Sequence, residues 1–284
     1  MTRQQLVETI FDRRSYLCVG LDTSPEQLPP HLSTADDPVL EFNRGIIDKT
    51  REYCVAYKIN TAFYEARGAK GWEALERTVQ YIPAGHLRIA DAKRGDIGNS
   101  SAQYAKTFFE TLGFDAVTVS PYMGEDSIRP FLEWEGKWTI VLGLTSNPGA
   151  ADFELQTVNE SREQLEKGVY VTQAHSPALY ELVLRKVSSW GSPEQLMFVI
   201  GATRPEMLRR CRQIAPDHFF LVPGVGAQGG SLEEVSRQGW NRDCGLLVNV
   251  SRAIIHASAG KDFAEAAMRM AAKYREEMKG YFAL

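Results

Sequence analysis

Eight short apolar runs recur along the 284-residue chain and constrain its fold more than any other feature. The runs are rich in β-branched and aliphatic side chains and span residues 17–21, 55–59, 87–90, 116–119, 139–144, 197–200, 219–222 and 246–250. Most are separated by segments of helical periodicity, at 48–53, 72–81, 101–112, 204–214 and 232–238. Alternating strands and helices indicate an α/β protein with a parallel sheet, and eight such units predict a closed (β/α)₈ TIM barrel. An open doubly wound sheet is the alternative.

The segments outside this alternation predict elaborations of one barrel domain over residues 1–284, since no linker interrupts the chain. Residues 2–14 predict an N-terminal helix across the bottom of the barrel, with an apolar stripe of Leu6, Val7, Ile10 and Phe11. The longest irregular interval, 146–195, contains helical stretches at 160–167 and 177–187 and predicts an elaborated loop after the fifth strand, placed to cover a pocket. Residues 274–284 read as the end of a last helix.

Composition and charge exclude several classes of protein. A net charge of -4 and a pI near 5.8 argue against nucleic-acid binding, which usually leaves a basic patch. No apolar stretch approaches the roughly 18 residues of a membrane span, and the N-terminus lacks the apolar core of a signal peptide, so we expect a cytoplasmic protein. The four cysteines and five histidines are dispersed without the spacing of metal ligands, so we expect buried thiols and no metal.

The third strand ends in a concentrated group of charges. Asp91, Lys93 and Asp96 follow the apolar run 87–90, on its last residue and in the loop beyond. Neighbouring carboxylates favour the charged form of a lysine and restrict its rotamers, so this D-x-K-x-x-D spacing can hold an ammonium group ready for chemistry. A solvated charged loop is the structural alternative.

Polar residues also follow other strands, where a TIM barrel builds its active site from βα loops. They are Asp22 after the first run, Lys58 in the second, Thr145 and Ser146 after the fifth, and Arg252 after the eighth. So many polar groups at corresponding positions predict a pocket for a polar small molecule.

A glycine-rich loop, residues 223–230, follows the seventh run. Its G-x-G-x-x-G pattern is weak evidence for a dinucleotide, because the next strand ends in Ser251 and Arg252 instead of the acidic residue that would hold a ribose. Loops after strands seven and eight of barrels commonly bind phosphate. We therefore predict a phosphate site that includes Gly226, Gln228 and Arg252; a tight structural turn is the alternative.

Taken together, these motifs resemble the orotidine 5'-phosphate decarboxylase family, in its longer bacterial form, over nearly the whole chain. The most specific element is the third-strand signature Asp91-Ala92-Lys93-Arg94-Gly95-Asp96-Ile97-Gly98-Asn99. It is accompanied by Gly20-Leu21-Asp22, Tyr57-Lys58, Thr145-Ser146-Asn147 and Pro223-Gly224-Val225-Gly226. One departure is Ser100, which stands where the family often has threonine and keeps the hydroxyl for a contact to ribose.

The resemblance implies a chemistry for each of these residues. Orotidine 5'-monophosphate would lose its C6 carboxylate as carbon dioxide without a cofactor, giving uridine 5'-monophosphate in pyrimidine biosynthesis. Lys93 would stabilise the carbanion-like C6 and protonate it, and Asp91, Asp96 and Lys58 would complete the charged network. The substrate would be bound by Asp22 and Ser100 at the ribose, Ser146 at the pyrimidine, and Gly226, Gln228 and Arg252 at the phosphate. The resemblance also implies a homodimer in which Asp96 enters the neighbouring subunit's site.

Three other functions fit parts of the pattern. A metal-dependent sugar-phosphate aldolase or synthase on a related barrel shares D-x-K-x-x-D, and magnesium dependence would favour it. A Schiff-base aldolase is disfavoured by the carboxylates beside the lysines, which favour the charged amine, and borohydride trapping would detect it. A noncatalytic nucleotide-binding barrel would show no turnover.

Overall fold

The computed structural model describes residues 1–158, 176–226 and 229–283. Eight parallel strands close into a barrel in chain order, so the predicted (β/α)₈ TIM barrel is confirmed. The strands are β1 (Leu17–Gly20), β2 (Ala56–Asn60), β3 (Leu87–Arg94), β4 (Ala116–Val119), β5 (Trp138–Leu144), β6 (Leu196–Ile200), β7 (Phe219–Pro223) and β8 (Leu246–Val250). Each overlaps one of the eight predicted runs.

Helices surround the barrel and cover its outer face. They are α1 (Arg3–Arg13), α2 (Pro38–Thr50), α3 (Ala62–Glu65), α4 (Ala69–Tyr81), α5 (Gly98–Lys106), α6 (Glu125–Leu132), α7 (Leu179–Ser188), α8 (Pro205–Ile214), α9 (Leu232–Gly239), α10 (Arg252–Ile255) and α11 (Phe263–Lys279). Within the described part of the chain, no helix is both long and apolar enough to cross a membrane. The strands are almost wholly buried, because helices cover one face and packed side chains fill the other.

Several predicted segments have different bounds in the structure. The helix predicted at 48–53 is wrong in extent, because α2 begins at Pro38, capped by the Asp37 side chain, and ends at Thr50. The helix predicted at 101–112 begins at Gly98 and continues beyond Lys106 as a π-helical segment, Thr107–Thr111. The last helix ends at Lys279, and the predicted stretch 160–167 lies outside the described residues.

The N-terminal helix α1 closes the bottom of the barrel, as predicted. Its Arg3 side chain is buried and donates hydrogen bonds to the carbonyls of Pro193 and Asp217, in the loops before β6 and β7. Leu6 and Ile10 are fully buried, whereas Phe11 is 43% exposed at the edge of the stripe. The opposite end of the barrel, where the strands finish, is left open for a site.

Strand β3 is longer than the sequence indicates and carries a bulge. It continues through Asp91 to Arg94, so Asp91 and Lys93 lie within the strand and not in a loop beyond it. Ala90 pairs with Val117 of β4 and Arg94 pairs with Val119, so three β3 residues stand opposite the single residue Thr118. The polar run 91–94 lacks the alternation of a half-buried strand, which is why its strand character was missed.

Candidate active site

A cavity of about 300 Å³ opens at the carboxyl ends of the barrel strands. Its charged lining brings together residues from four strand ends: Asp22, Lys58, Asp91, Lys93 and Arg252. Leu142, Val199 and Leu221 add an apolar part to the wall. The volume and the mixed lining suit a small polar molecule with an apolar portion.

Four of the charged side chains form one continuous chain of contacts. The Lys58 ammonium, which is almost fully buried, donates to Oδ1 of Asp22 at 3.2 Å and to Oδ2 of Asp91 at 2.8 Å. The second oxygen of Asp91 accepts a hydrogen bond from Nζ of Lys93 at 2.6 Å. Asp91 therefore bridges two lysines with its two carboxylate oxygens, and the Lys93 side chain remains half exposed to the cavity.

The contacts in this chain keep its two central groups, Lys58 and Asp91, ionised. Burial alone would favour neutral Lys58, but the carboxylates of Asp22 and Asp91 outweigh it and raise the pKa of Lys58 above its ordinary value. Burial also opposes ionisation of Asp91, yet Lys58 and Lys93 hold the pKa of that carboxyl well below its usual range. The site therefore carries fixed positive and negative charges near neutral pH.

The backbone at Lys93 has an unusual conformation. Its φ is +47°, in the left-handed region that residues with a side chain rarely adopt. The Lys93 N–H donates to Oγ1 of Thr118 at 2.9 Å, and the same hydroxyl donates to Oδ1 of Asp91 at 3.1 Å. The bulge in β3 and this hydroxyl together aim Asp91 and Lys93 into the cavity.

The loop after β7 is shaped by glycines. Gly224 has φ +101° and lines the cavity, and Gly226 has φ +75°. A Cβ atom at Gly226 would lie 2.7 Å from the Tyr274 hydroxyl oxygen, so both the backbone conformation and the available space favour glycine there. The Gly226 N–H donates to the Gly230 carbonyl at 3.1 Å, and the loop is thereby closed on itself.

The structure brings together six of the ten predicted site residues. The side chains of Asp22, Lys58, Asp91, Lys93, Ser146 and Arg252 line the cavity. Asp96, Ser100 and Gly226 do not line it, and Ser100 is exposed on α5. Gln228 lies outside the described residues. The roles of these four residues stay predictions.

Sequence reasoning missed several polar residues at the cavity. Asn60 ends β2 and Asn249 lies on β8, and both line the cavity, while Thr118 reaches Asp91 from β4. Glu154 accepts hydrogen bonds from the backbone N–H and hydroxyl of Thr145, at 2.7 and 2.8 Å, and so fixes the residue before Ser146. A single polar residue inside an apolar strand run was the available signal for Thr118 and Asn249.

The described residues form no cluster of typical metal ligands. Among them, no group of three or more histidine, cysteine, aspartate or glutamate side chains is arranged to hold a metal ion. The Arg252 guanidinium at the cavity makes no ion pair with any described residue, which leaves its charge available to an anion.

Comparison with known proteins decides the family. The sequence model of a protein family described as "Orotidine 5'-phosphate decarboxylase / HUMPS family" matches residues 15–269. An orotidine 5'-phosphate decarboxylase of Phocaeicola vulgatus is 51% identical over 282 residues, covering 98% of each chain. The chain belongs to the orotidine 5'-phosphate decarboxylase family. The resemblance drawn from the sequence motifs is thereby confirmed.

Other members of the orotidine 5'-phosphate decarboxylase family agree in sequence and in structure. The Flavobacterium johnsoniae protein of that name is 52% identical over 281 residues, covering 98% of this chain and 97% of its own. The solved OMP decarboxylase of Leishmania donovani superposes with a TM-score of 0.78 at 34% identity, covering 97% of this chain and 99% of its own. These relatives give no support to the metal-dependent sugar-phosphate aldolase or synthase.

Proposed function

We propose that this protein is an orotidine 5'-phosphate decarboxylase, which converts orotidine 5'-monophosphate to uridine 5'-monophosphate and carbon dioxide in pyrimidine biosynthesis. Its relatives of about 50% identity bear that name over nearly their full length. The observation that carries the proposal is the chain of contacts from Asp22 through Lys58 and Asp91 to Lys93 at the open end of the barrel. We further propose that residues 1–284 act as one domain.

Lys93 is the catalytic residue in this proposal. Breaking the bond between C6 and the carboxylate releases carbon dioxide and leaves the electron pair on C6. An ammonium already fixed beside Asp91 stabilises that charge without reorienting during the reaction. A proton from Nζ of Lys93 then bonds to C6, and solvent restores the proton to Lys93. No electrons are exchanged with a cofactor.

Asp91 and Lys58 support this step from inside the barrel. Asp91 holds the Lys93 ammonium and is in turn paired with Lys58, whose own charge is maintained by the carboxylates of Asp22 and Asp91. In the proposal Lys58 also reaches the ribose hydroxyls, together with Asp22 and Ser100. Removing the carboxylate of Asp22 or Asp91 would leave the buried Lys58 ammonium with only one opposite charge, which would destabilise the folded protein.

The remaining predicted site residues are assigned to the two ends of the nucleotide. Ser146 lines the cavity after β5 and reads the pyrimidine by hydrogen bonding. Arg252 lines the cavity and presents a planar charged fork suited to phosphate oxygens. In the proposal Gly226 and Gln228 complete the phosphate site from the loop after β7.

We also propose a homodimer with shared active sites, to which Asp96 contributes across the interface. Asp96 follows β3 but does not line the cavity of its own chain. Ile97, Tyr122 and Met123 are 55%, 89% and 44% exposed, and Met123 approaches Gly95, so apolar surface adjoins Asp96. Such surface suits a subunit interface. The four buried free thiols suit a reducing compartment, and we infer a cytoplasmic enzyme.

An ultraviolet assay on orotidine 5'-monophosphate tests the activity. We expect the wild type to consume the substrate with stoichiometric carbon dioxide and uridine 5'-monophosphate. The variant Lys93→Met removes the ammonium and should be inactive, whereas Lys49→Met, which removes an exposed lysine on α2, should match the wild type. A wild type without turnover would contradict the proposal.

A further inference from the structure

The bulge in β3 leaves Lys93 without an ordinary strand partner. Asp91, Ala92 and Lys93 stand opposite the single residue Thr118, so the regular ladder between β3 and β4 is interrupted. A backbone N–H at such a point needs an acceptor from elsewhere, since unpaired buried polar groups are unfavourable. The Thr118 hydroxyl provides that acceptor, 2.9 Å from the Lys93 nitrogen.

The same hydroxyl reaches the catalytic charges. Oγ1 of Thr118 donates its hydrogen to Oδ1 of Asp91 at 3.1 Å. This carboxylate oxygen is the one that accepts the hydrogen bond from Nζ of Lys93. One hydroxyl group therefore contacts both the backbone of Lys93 and the partner of its side chain.

The backbone of Lys93 requires such support. With φ at +47°, Lys93 lies in a conformation that is strained for a residue with a side chain and persists only where its surroundings impose it. Thr118 is fully buried on β4, in a strand held between two neighbours, and is a rigid anchor for this purpose. Its β-branched side chain also has few alternative rotamers.

We propose that Thr118 is a positioning residue for decarboxylation, which holds Lys93 in its left-handed conformation and orients the Asp91 carboxylate toward it. The inference rests on the proposed function, because it takes Lys93 as the group that stabilises and protonates C6. Thr118 does not line the cavity, so it acts through Lys93 and Asp91 and not on the substrate. The hydroxyl is the functional group, and the methyl group only fills space.

Two substitutions separate the Thr118 hydroxyl from the rest of its side chain, and a third serves as a control. Thr118→Val keeps the shape but removes the hydroxyl, and Thr118→Ser keeps the hydroxyl but removes the methyl group. Thr139→Val is the matched control, because Thr139 is a buried threonine on β5 whose hydroxyl has no hydrogen-bond partner among the described residues. The readouts are kcat, KM and the melting temperature of each full-length enzyme with orotidine 5'-monophosphate.

We expect Thr118→Val to lower kcat about tenfold to a hundredfold, the effect of losing a hydrogen bond to a charged group. KM should change less than about threefold, because the groups assigned to the phosphate and pyrimidine are untouched. Thr118→Ser should restore kcat to within about threefold of the wild type, and Thr139→Val should leave it unchanged. If Thr118→Val does not fold, Thr118→Ala removes the same hydroxyl in a smaller side chain and carries the same expectation.

Two results overturn the inference while the proposed function stands. The first is that the wild type is active and Thr118→Val has the same kcat as the wild type. The second is that Thr118→Val and Thr118→Ser lose kcat to the same extent. A wild type with no turnover would instead contradict the proposed function together with this inference.

Discussion

The Nζ atom of Lys93 lies 2.6 Å from Oδ1 of Asp91, two positions earlier in the same strand. The contact is made although Lys93 has a left-handed backbone conformation. Because the other oxygen of Asp91 binds the buried Lys58, the position of the Lys93 ammonium is fixed from the barrel interior. Catalysis by a preorganised charge requires this arrangement before the substrate binds.

Substitution of Arg252 should lower the turnover only of a substrate that carries the phosphate group. Arg252→Ala removes a charged hydrogen-bond donor, a loss of about 1.5 to 3 kcal/mol, so kcat/KM for orotidine 5'-monophosphate should fall at least about tenfold. Turnover of orotidine, which lacks the phosphate, should barely change. Steady-state kinetics with both substrates measure the difference. Equal losses for both substrates at an unchanged melting temperature would contradict the assignment of Arg252 to phosphate.

Mixed dimers test the contribution of Asp96 across the interface. If Asp96 serves the opposite subunit, combining inactive Lys93→Ala and Asp96→Ala chains creates one site with both native groups and one with both lesions. Dimers purified through two different tags should recover up to about half of the wild-type activity. No recovery in confirmed mixed dimers would refute the shared site.

Acid should destabilise the fold partly through His218. Burial, assisted by Arg212 and Arg3, lowers the pKa of His218 to about 4, and its ring packs against Phe198. The unfolded chain takes up this proton near pH 6.5, so the stabilisation is complete above that pH and is lost as the pH falls toward 4.

The size of this effect is about 2 kcal/mol at pH 5. Urea unfolding at pH 7.5 and pH 5.0 should therefore show that the wild type loses about 2 kcal/mol more than His218→Leu, which cannot take up the proton. Identical losses in the two proteins would exclude His218 as a source of acid sensitivity.

The barrel could be predicted from the sequence because each strand is a short apolar run, and eight of them alternate with helical segments. The same logic placed Asp22, Lys58 and Arg252 at one end, since carboxyl ends of parallel strands share an edge. The course of β3 could not be predicted, because its last four residues, 91–94, are mostly polar and their strand character depends on pairing with β4. Thr118 lies within a predicted strand run, but its contacts with Lys93 and Asp91 depend on the bulge in β3, which the sequence does not reveal.

Other errors arose where local signals compete with tertiary contacts. The start of α2 was marked by Asp37 and Pro38, a cap and a first-turn proline, and its apolar residues all precede residue 48, so the prediction of 48–53 took in only the end of the helix. The involvement of Glu154 depends on a loop conformation that no spacing rule describes.

Turnover by chelated enzyme tests most directly whether the Lys93 ammonium supplies the positive charge for decarboxylation. After exhaustive chelation, we expect the wild type to convert orotidine 5'-monophosphate at its full rate, and Lys93→Met to be at least about a thousandfold slower in the same buffer, since it loses both charge stabilisation and the proton donor. Loss of wild-type turnover on chelation, restored by magnesium or manganese but not by monovalent salt, would contradict this claim.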